Sequence, residues 1–93
     1  MRELEYKKSF FKDAQVLAKN GFDLTILNPL LDKLRSGEAL ESKYKDHQLQ
    51  GKLKDYREFH LKGDILVLYK ITDTMLTLYA IDNHNNLFKR FSK

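Results

Sequence analysis

The sequence predicts an α+β domain in which two amphipathic helices precede an antiparallel meander. Three observations lead there. Apolar residues recur at helical spacing from Phe10 to Leu34, the pattern becomes strand-like from Lys54 to Ile81, and the strand-like runs are separated only by "KGD" and "TDT". At 93 residues the chain suffices for one modest core and not for two, so residues 1–93 are expected to form a single domain.

Taken in order, the alternating segment Glu3 to Tyr6 suits an edge strand. Ser9 is placed to cap a helix whose apolar face is Phe10, Phe11, Ala14, Leu17 and Ala18, with Asn20-Gly21 as its stop. A second helix carries Leu27, Leu30, Leu31 and Leu34 on one stripe and ends before Gly37. Pro29 lacks an N–H and is tolerated either at the first helical position after an Asn28 cap or in the first turn of a helix begun near Asp23. About three residues join the two helices, which predicts an antiparallel helical hairpin.

Ser36 to Gly51 shows no sustained period and reads as loop. Strands are then expected at Lys54 to Leu61, Ile65 to Thr72 and Met75 to Ile81. "ILVLYKI" should be the middle strand because it is apolar on both faces. A short helix over Asn83 to Phe91 closes the chain.

Composition narrows the function. There is no cysteine, so disulfides, thiolate catalysis and Cys-ligated metal centres are excluded. The N-terminus, "MRELEYKKSFF", lacks a continuous apolar stretch, no segment is long enough to span a bilayer, and the cytoplasm is the expected location. The net charge of +4 is unevenly distributed: residues 1–42 hold 7 basic and 7 acidic side chains, and residues 43–93 hold 10 and 6. A basic second half favours an anionic partner, either nucleic acid or an acidic protein.

The stretch "KDHQLQGKLKDYREFHLKGD" at 45–64 concentrates the candidate chemistry. Strand alternation sends Phe59 and Leu61 one way and Tyr56, Glu58 and His60 the other. If the first pair faces the helices, Glu58 and His60 share the open face. In the last strand Thr77 and Tyr79 form a mildly polar set against Leu76, Leu78 and Ala80. The three histidines are His47, before the meander, His60, near the end of its first strand, and His84, just after its last. An antiparallel meander can bring the last two together.

Imidazole both gives and takes a proton near neutral pH, and Glu58 or Asp64 can orient a ring. With lysines and arginines nearby, this set has the parts for transesterification of RNA, with no metal required. Metal binding is the less economical reading, because the histidines lack helical i, i+4 spacing and come from three segments. Each residue also has a structural reading: a solvated loop histidine, a charged surface, Phe88 and Phe91 as the inner side of a terminal helix, and tyrosines as packing.

Three ordered pieces, "YKDHQLQG" at 44–51, "YREFHLKGDILVLYKI" at 56–71 and "DNHNNLF" at 82–88, resemble the pattern of YafQ-type toxins in the RelE/ParE superfamily of bacterial toxin-antitoxin systems. The shared order is Asp-His before Leu-x-Gly, Arg-Glu-x-His before an Asp that opens an apolar strand, and a terminal His with Leu-Phe shortly after. The resemblance implies a RelE-like fold: two N-terminal helices packed on a twisted antiparallel sheet of about four strands, the first strand pairing with the meander, and a short C-terminal helix. It also implies an mRNA interferase, a metal-independent endoribonuclease without cofactor. Such an enzyme cuts mRNA in the ribosomal A site and is neutralised by a cognate acidic antitoxin protein, and any DNA contact is made only through the antitoxin complex.

By position, His47, His60, Asp64 and His84 match the family's functional positions, Phe88 its terminal aromatic, and Glu58 a place where an acid is usual. The implied roles are acid and base for His60 and His84, and phosphate contact or assistance for His47. Glu58 and Asp64 would set ring orientation and protonation, and Phe88 would stack on a base. Lys52, Lys54, Arg57, Lys62 and Arg90 would hold phosphates. Two departures stand out: Asp82-Asn83-His84 where relatives often have Gly-Ser/Thr-His, and Gly63-Asp64-Ile65 where Pro-Asp-Trp is common. Two other functions fit the same domain, namely a ParE-like gyrase poison and a non-catalytic basic module binding nucleic acid or protein.

Overall fold

The computed structural model describes residues 1–91. The N-terminal strand is present as β1, Glu3–Tyr6, and the chain then enters α1, Lys8–Lys19. Lys7 rather than Ser9 holds the cap position. The helix buries Phe10 and packs Ala14 and Leu17 on the core, whereas Phe11 and Ala18 lie exposed. Residues 10, 14 and 17 make one stripe, and a neighbour in sequence is turned about 100° away from it. The Asn20-Gly21 stop is as expected. Gly21 takes φ +87°, its N–H reaches the Ala18 carbonyl and that of Phe22 reaches Leu17, each at 3.0 Å, a pairing that satisfies the last carbonyls of the helix.

Pro29 combines its two expected placements: a turn does begin at Asp23, but the α-helix starts at Asn28, which lies inside it rather than capping it. Asp23 Oδ1 accepts the Thr25 N–H at 3.0 Å, opening a 3-10 turn at Leu24–Leu27 that runs into α2, Asn28–Arg35. Pro29 therefore sits in the first turn of α2, where an N–H has no intrahelical partner to lose. Both helices pack on the last strand of the sheet, and their apolar stripes share one core with it.

The remaining elements are β2, His47–Gln48; β3, Arg57–Lys62; β4, Ile65–Ile71; β5, Met75–Asn83; and α3, His84–Phe91. They form one five-stranded sheet in the order β1-β5-β4-β3-β2. The α+β class and the meander with "ILVLYKI" as its centre stand as predicted. Two details differ. The stretch read as loop contains β2, whose two residues are too few to show a period. And β1 pairs with β5 in parallel, Glu3 opposite Met75 through Tyr6 opposite Leu78, so the sheet is mixed. A parallel neighbour needs a long crossover, here supplied by the helices and the rest of the sheet.

One face of the sheet, with Phe59, Val67, Tyr69, Leu76, Leu78 and Ile81, buries against the helices. The other carries a smaller cluster of Leu66, Leu68, Ala80 and Leu87, with Leu87 reaching down from α3. Ala80 was expected beside Leu76 and Leu78 and lies on the opposite face. The register passes from Tyr69 opposite Leu78 to Leu68 opposite Ala80, leaving Tyr79 as an extra residue. Such a bulge reverses the in-out alternation beyond it.

The bulge lies where β1 has ended, and α1 replaces the missing strand. Ser9 Oγ donates to the Tyr79 carbonyl, and Asp13 Oδ2 accepts the Ile81 N–H at 3.1 Å. Residues 9 and 13 are i, i+4 on one helix face, so a single helix satisfies two backbone groups of an uncovered strand edge.

Candidate active site

Register sets His47 of β2 opposite Glu58 of β3. Directly opposed side chains share a face with Cβ atoms about 5 Å apart, and here they meet, His47 Nε2 to Glu58 Oε1 at 3.3 Å. The other ring nitrogen, Nδ1, lies 2.6 Å from the Lys45 carbonyl. A carbonyl only accepts, so Nδ1 carries a proton. Lys45 presents that carbonyl from a left-handed backbone, φ +51°. Both nitrogens of His47 thus face acceptors, which holds the ring in one orientation.

Glu58 also borders a cleft of about 230 Å³, lined by Leu49, Gln50 and Leu53 before β3 and by His84, Leu87 and Phe88 of α3. His84 is the first residue of α3. Asn83 caps that helix, its Oδ1 accepting the Asn86 N–H at 2.8 Å. The carboxylate of Asp82 is turned away to the Asn83 N–H at 2.8 Å and the Asn86 amide at 3.1 Å. The Asp82-Asn83 departure from the family pattern therefore builds the start of α3. The His84 and Phe88 rings stack at 6.3 Å and 23°, as residues one helical turn apart can. Phe88 is 64% exposed and borders the cleft, so it is not buried as core.

His60 lies two residues beyond Glu58 on the same face of β3, half-buried. It borders a second depression, of about 360 Å³, with Lys43, Tyr44, Lys45 and Lys62. Among the described residues the ring nitrogens of His60 and His84 engage no hydrogen-bond partner, in contrast to those of His47. Asp64 is not brought into this group. It sits in the β3–β4 turn and borders a third depression formed with Leu17, Asn20 and Phe22 at the end of α1, so it touches none of the three rings.

The expected phosphate-holding cations divide in two. Lys52, Lys54 and Lys62 are exposed, the first two flanking Leu53 at the lip of the cleft. The arginines are tied to carboxylates of the chain. Arg90 Nη1 binds Asp13 at 2.9 Å and Asp82 at 3.3 Å. Arg57 binds Asp46 at 3.3 Å and donates Nε to the Tyr69 hydroxyl at 3.2 Å. Burial alone would lower the Arg57 pKa, but its bonds to Tyr69 and Asp46 outweigh that and raise it. Tyr69 is pushed well above the ordinary tyrosine range by burial and by the bond it donates to Asp46. Among the described residues no group of three His, Asp or Glu side chains is placed to hold a metal ion.

The brace of Asp46, Gln48 and Tyr69 around β2 escaped the sequence reading. One signal was available, namely a lone tyrosine inside "ILVLYKI", since a buried phenol needs a partner for its hydroxyl. The cleft walls Leu49 and Leu53 had none, being isolated leucines in an aperiodic stretch.

Two helices on one face of a five-stranded sheet, with His84 and Glu58 lining a cleft at the other face beside a short terminal helix, give the RelE-like α+β architecture. Residues 2–89 match the family described as bacterial toxin of type II toxin-antitoxin system, YafQ, and the chain belongs to that family. The mRNA interferase toxin YafQ of Escherichia coli K12 is 35% identical over 88 residues, covering 94% of this chain and 96% of the relative. Among solved structures, a copper-bound mutant toxin from Helicobacter pylori superposes with a TM-score of 0.91 at 42% identity, covering 95% of this chain and 100% of that one. The toxin in the E. coli DinJ-YafQ toxin-antitoxin complex superposes at 0.84 with 35% identity, covering 94% and 97%. No helix among the described residues is long and apolar enough to cross a membrane.

Proposed function

We propose that this toxin is a metal-independent endoribonuclease that cleaves mRNA on the ribosome by histidine acid/base catalysis. The observation that carries the reading is the contrast among three histidines on one face: His47 is locked between Lys45 and Glu58, while His60 and His84 keep their ring nitrogens available among the described residues. One of the two available rings removes the proton of a ribose 2′-hydroxyl as its oxygen attacks the adjacent phosphorus. The bond to the 5′-oxygen breaks, and the other ring protonates that oxygen, leaving a 2′,3′-cyclic phosphate and a free 5′-hydroxyl.

The locked His47 assists by fixing the carboxylate of Glu58, which borders the cleft beside His84. Phe88 offers an exposed ring on which a base stacks, and Lys52, Lys54 and Lys62 hold flanking phosphates. Arg57, Arg90 and Asp64 are left out of the chemistry, the arginines because their partners are carboxylates of this chain. The name of the E. coli relative supports mRNA as substrate, and the DinJ-YafQ complex supports an antitoxin partner. The site of action is then the cytoplasm, where ribosomes are.

The test is cleavage of a defined mRNA by purified protein, with and without ribosomes, using enough EDTA to chelate trace transition metals while magnesium is kept for the ribosomes. Cuts that persist with EDTA and disappear in His84→Ala support the mechanism, and the ribosome comparison assigns the substrate form. Equal cutting by the variant, or none by wild type, overturns it, with gyrase-dependent DNA cleavage the next assay.

A further inference from the structure

His47 stands on a two-residue strand, and so short an element has little stability of its own. What holds it is largely on the other side of the sheet. Residues adjacent in a strand point to opposite faces, and Asp46, just before His47, turns toward the helix side. There it accepts a hydrogen bond from the hydroxyl of Tyr69 and binds Arg57 Nη2 at 3.3 Å. Tyr69 is fully buried on the central strand β4, packed edge-on against Phe59 with ring centres 5.7 Å apart. Its hydroxyl is therefore a fixed point of the core. Arg57 bonds Tyr69 and also reaches Gln48 Oε1 at 3.4 Å. The Gln48 amide in turn donates to the carbonyls of Lys54 and Tyr56.

We propose that Asp46, anchored by Tyr69 and Arg57, is a positioning residue that sets His47 against Glu58 in the active site. With the Asp46 side chain bound on the inner face, alternation directs His47 to the outer face. The left-handed turn at Lys45 then brings that residue's carbonyl onto Nδ1. Asp46 touches no substrate and acts only through its neighbour. The inference rests on the proposed ribonuclease reading for its consequence in catalysis, but the positioning itself has a readout independent of turnover.

The experiment compares Asp46→Asn and Tyr69→Phe, both close in shape to the originals, with wild type in two arms. In the first, ring-nitrogen NMR signals of all three histidines are recorded in the free protein. The expected result is that both variants melt cooperatively and shift the His47 signals while those of His60 and His84 stay in place. In the second, RNA cleavage is measured for Asp46→Asn, His47→Ala and the double variant. Asp46→Asn is expected to lower kcat on the order of 10–100-fold with little change in KM, and the double variant to be no worse than His47→Ala alone. Unmoved His47 signals, or losses that multiply in the double variant, overturn the proposal. If wild type cuts no RNA, the first arm still decides the positioning, so that failure is distinguishable from failure of the ribonuclease reading.

Discussion

Asp13→Ala should destabilise the protein far more than its position on a surface helix suggests. The carboxylate is only 12% exposed and makes two kinds of bond. Oδ2 accepts the N–H of Ile81 at 3.1 Å, beyond the end of β1 where no strand covers that edge of β5. Ile81 is fully buried, so removing the acceptor strands a buried N–H, and a hydrogen bond to a charged acceptor is worth about 1.5–3 kcal/mol. The second bond, to Arg90, is a partly exposed ion pair whose arginine keeps Asp82 at 3.3 Å, so its loss adds no more than about 0.5 kcal/mol.

A total of about 2.5 kcal/mol follows. With ~2.1 cal/mol/K of unfolding entropy per residue over 93 residues, that lowers Tm by roughly 13 °C. Thermal unfolding followed by circular dichroism measures the shift, and amide exchange at Ile81 reports the bond directly. Arg90→Ala is the internal control. It leaves the Asp13 bond to Ile81 in place and should cost about 0.5–1 kcal/mol. A drop below about 3 °C for Asp13→Ala, or a larger cost for Arg90→Ala, would refute the assignment of the energy to the strand edge.

Phe88→Ala should leave Tm within the range of an ordinary surface change, about 0.5 kcal/mol, because the ring is mostly exposed, yet raise KM for RNA about tenfold through a lost base stack of ~1–3 kcal/mol; equal KM would remove Phe88 from the site. Glu58→Gln takes away the carboxylate that faces His47 Nε2 and should lower kcat on the order of tenfold while the fold persists; wild-type turnover in single-turnover kinetics would show that the pair has no catalytic role. Tyr69 has a folded-state pKa above its unfolded value, so its contribution is fully present below about pH 10 and declines as pH rises past it. Denaturant melts from pH 8 to 11 should show wild type losing this increment and Tyr69→Phe lacking that loss; parallel curves would place the phenol elsewhere.

Local patterns carried the class of the fold and the membership of the site face. The stripe through Phe10, Ala14 and Leu17 and the run "ILVLYKI" each bury one side of an element, which leaves a period readable within ten residues. Strand alternation likewise placed Phe59 and Leu61 inward and Glu58 and His60 outward. His47, His60 and His84 were visible as the complete histidine set, and the spacing of the three motifs pointed to the YafQ family that the comparisons then showed.

Features that depend on neighbours within a turn or a strand were therefore legible locally: helices, meander, faces and the inventory of acid/base groups. Tertiary structure decided which of those groups act on one another. Only the fold shows that β1 lies parallel to β5, that two residues at 47 and 48 suffice for a strand, and that an extra residue at Tyr79 turns Ala80 over. It also commits Arg57 and Arg90 to internal carboxylates and carries Asp64 to the helix side. The physical reason is separation along the chain. Asp13 meets Ile81 across 68 positions and Tyr69 meets Asp46 across 23, and no local period records where a long-range partner will stand.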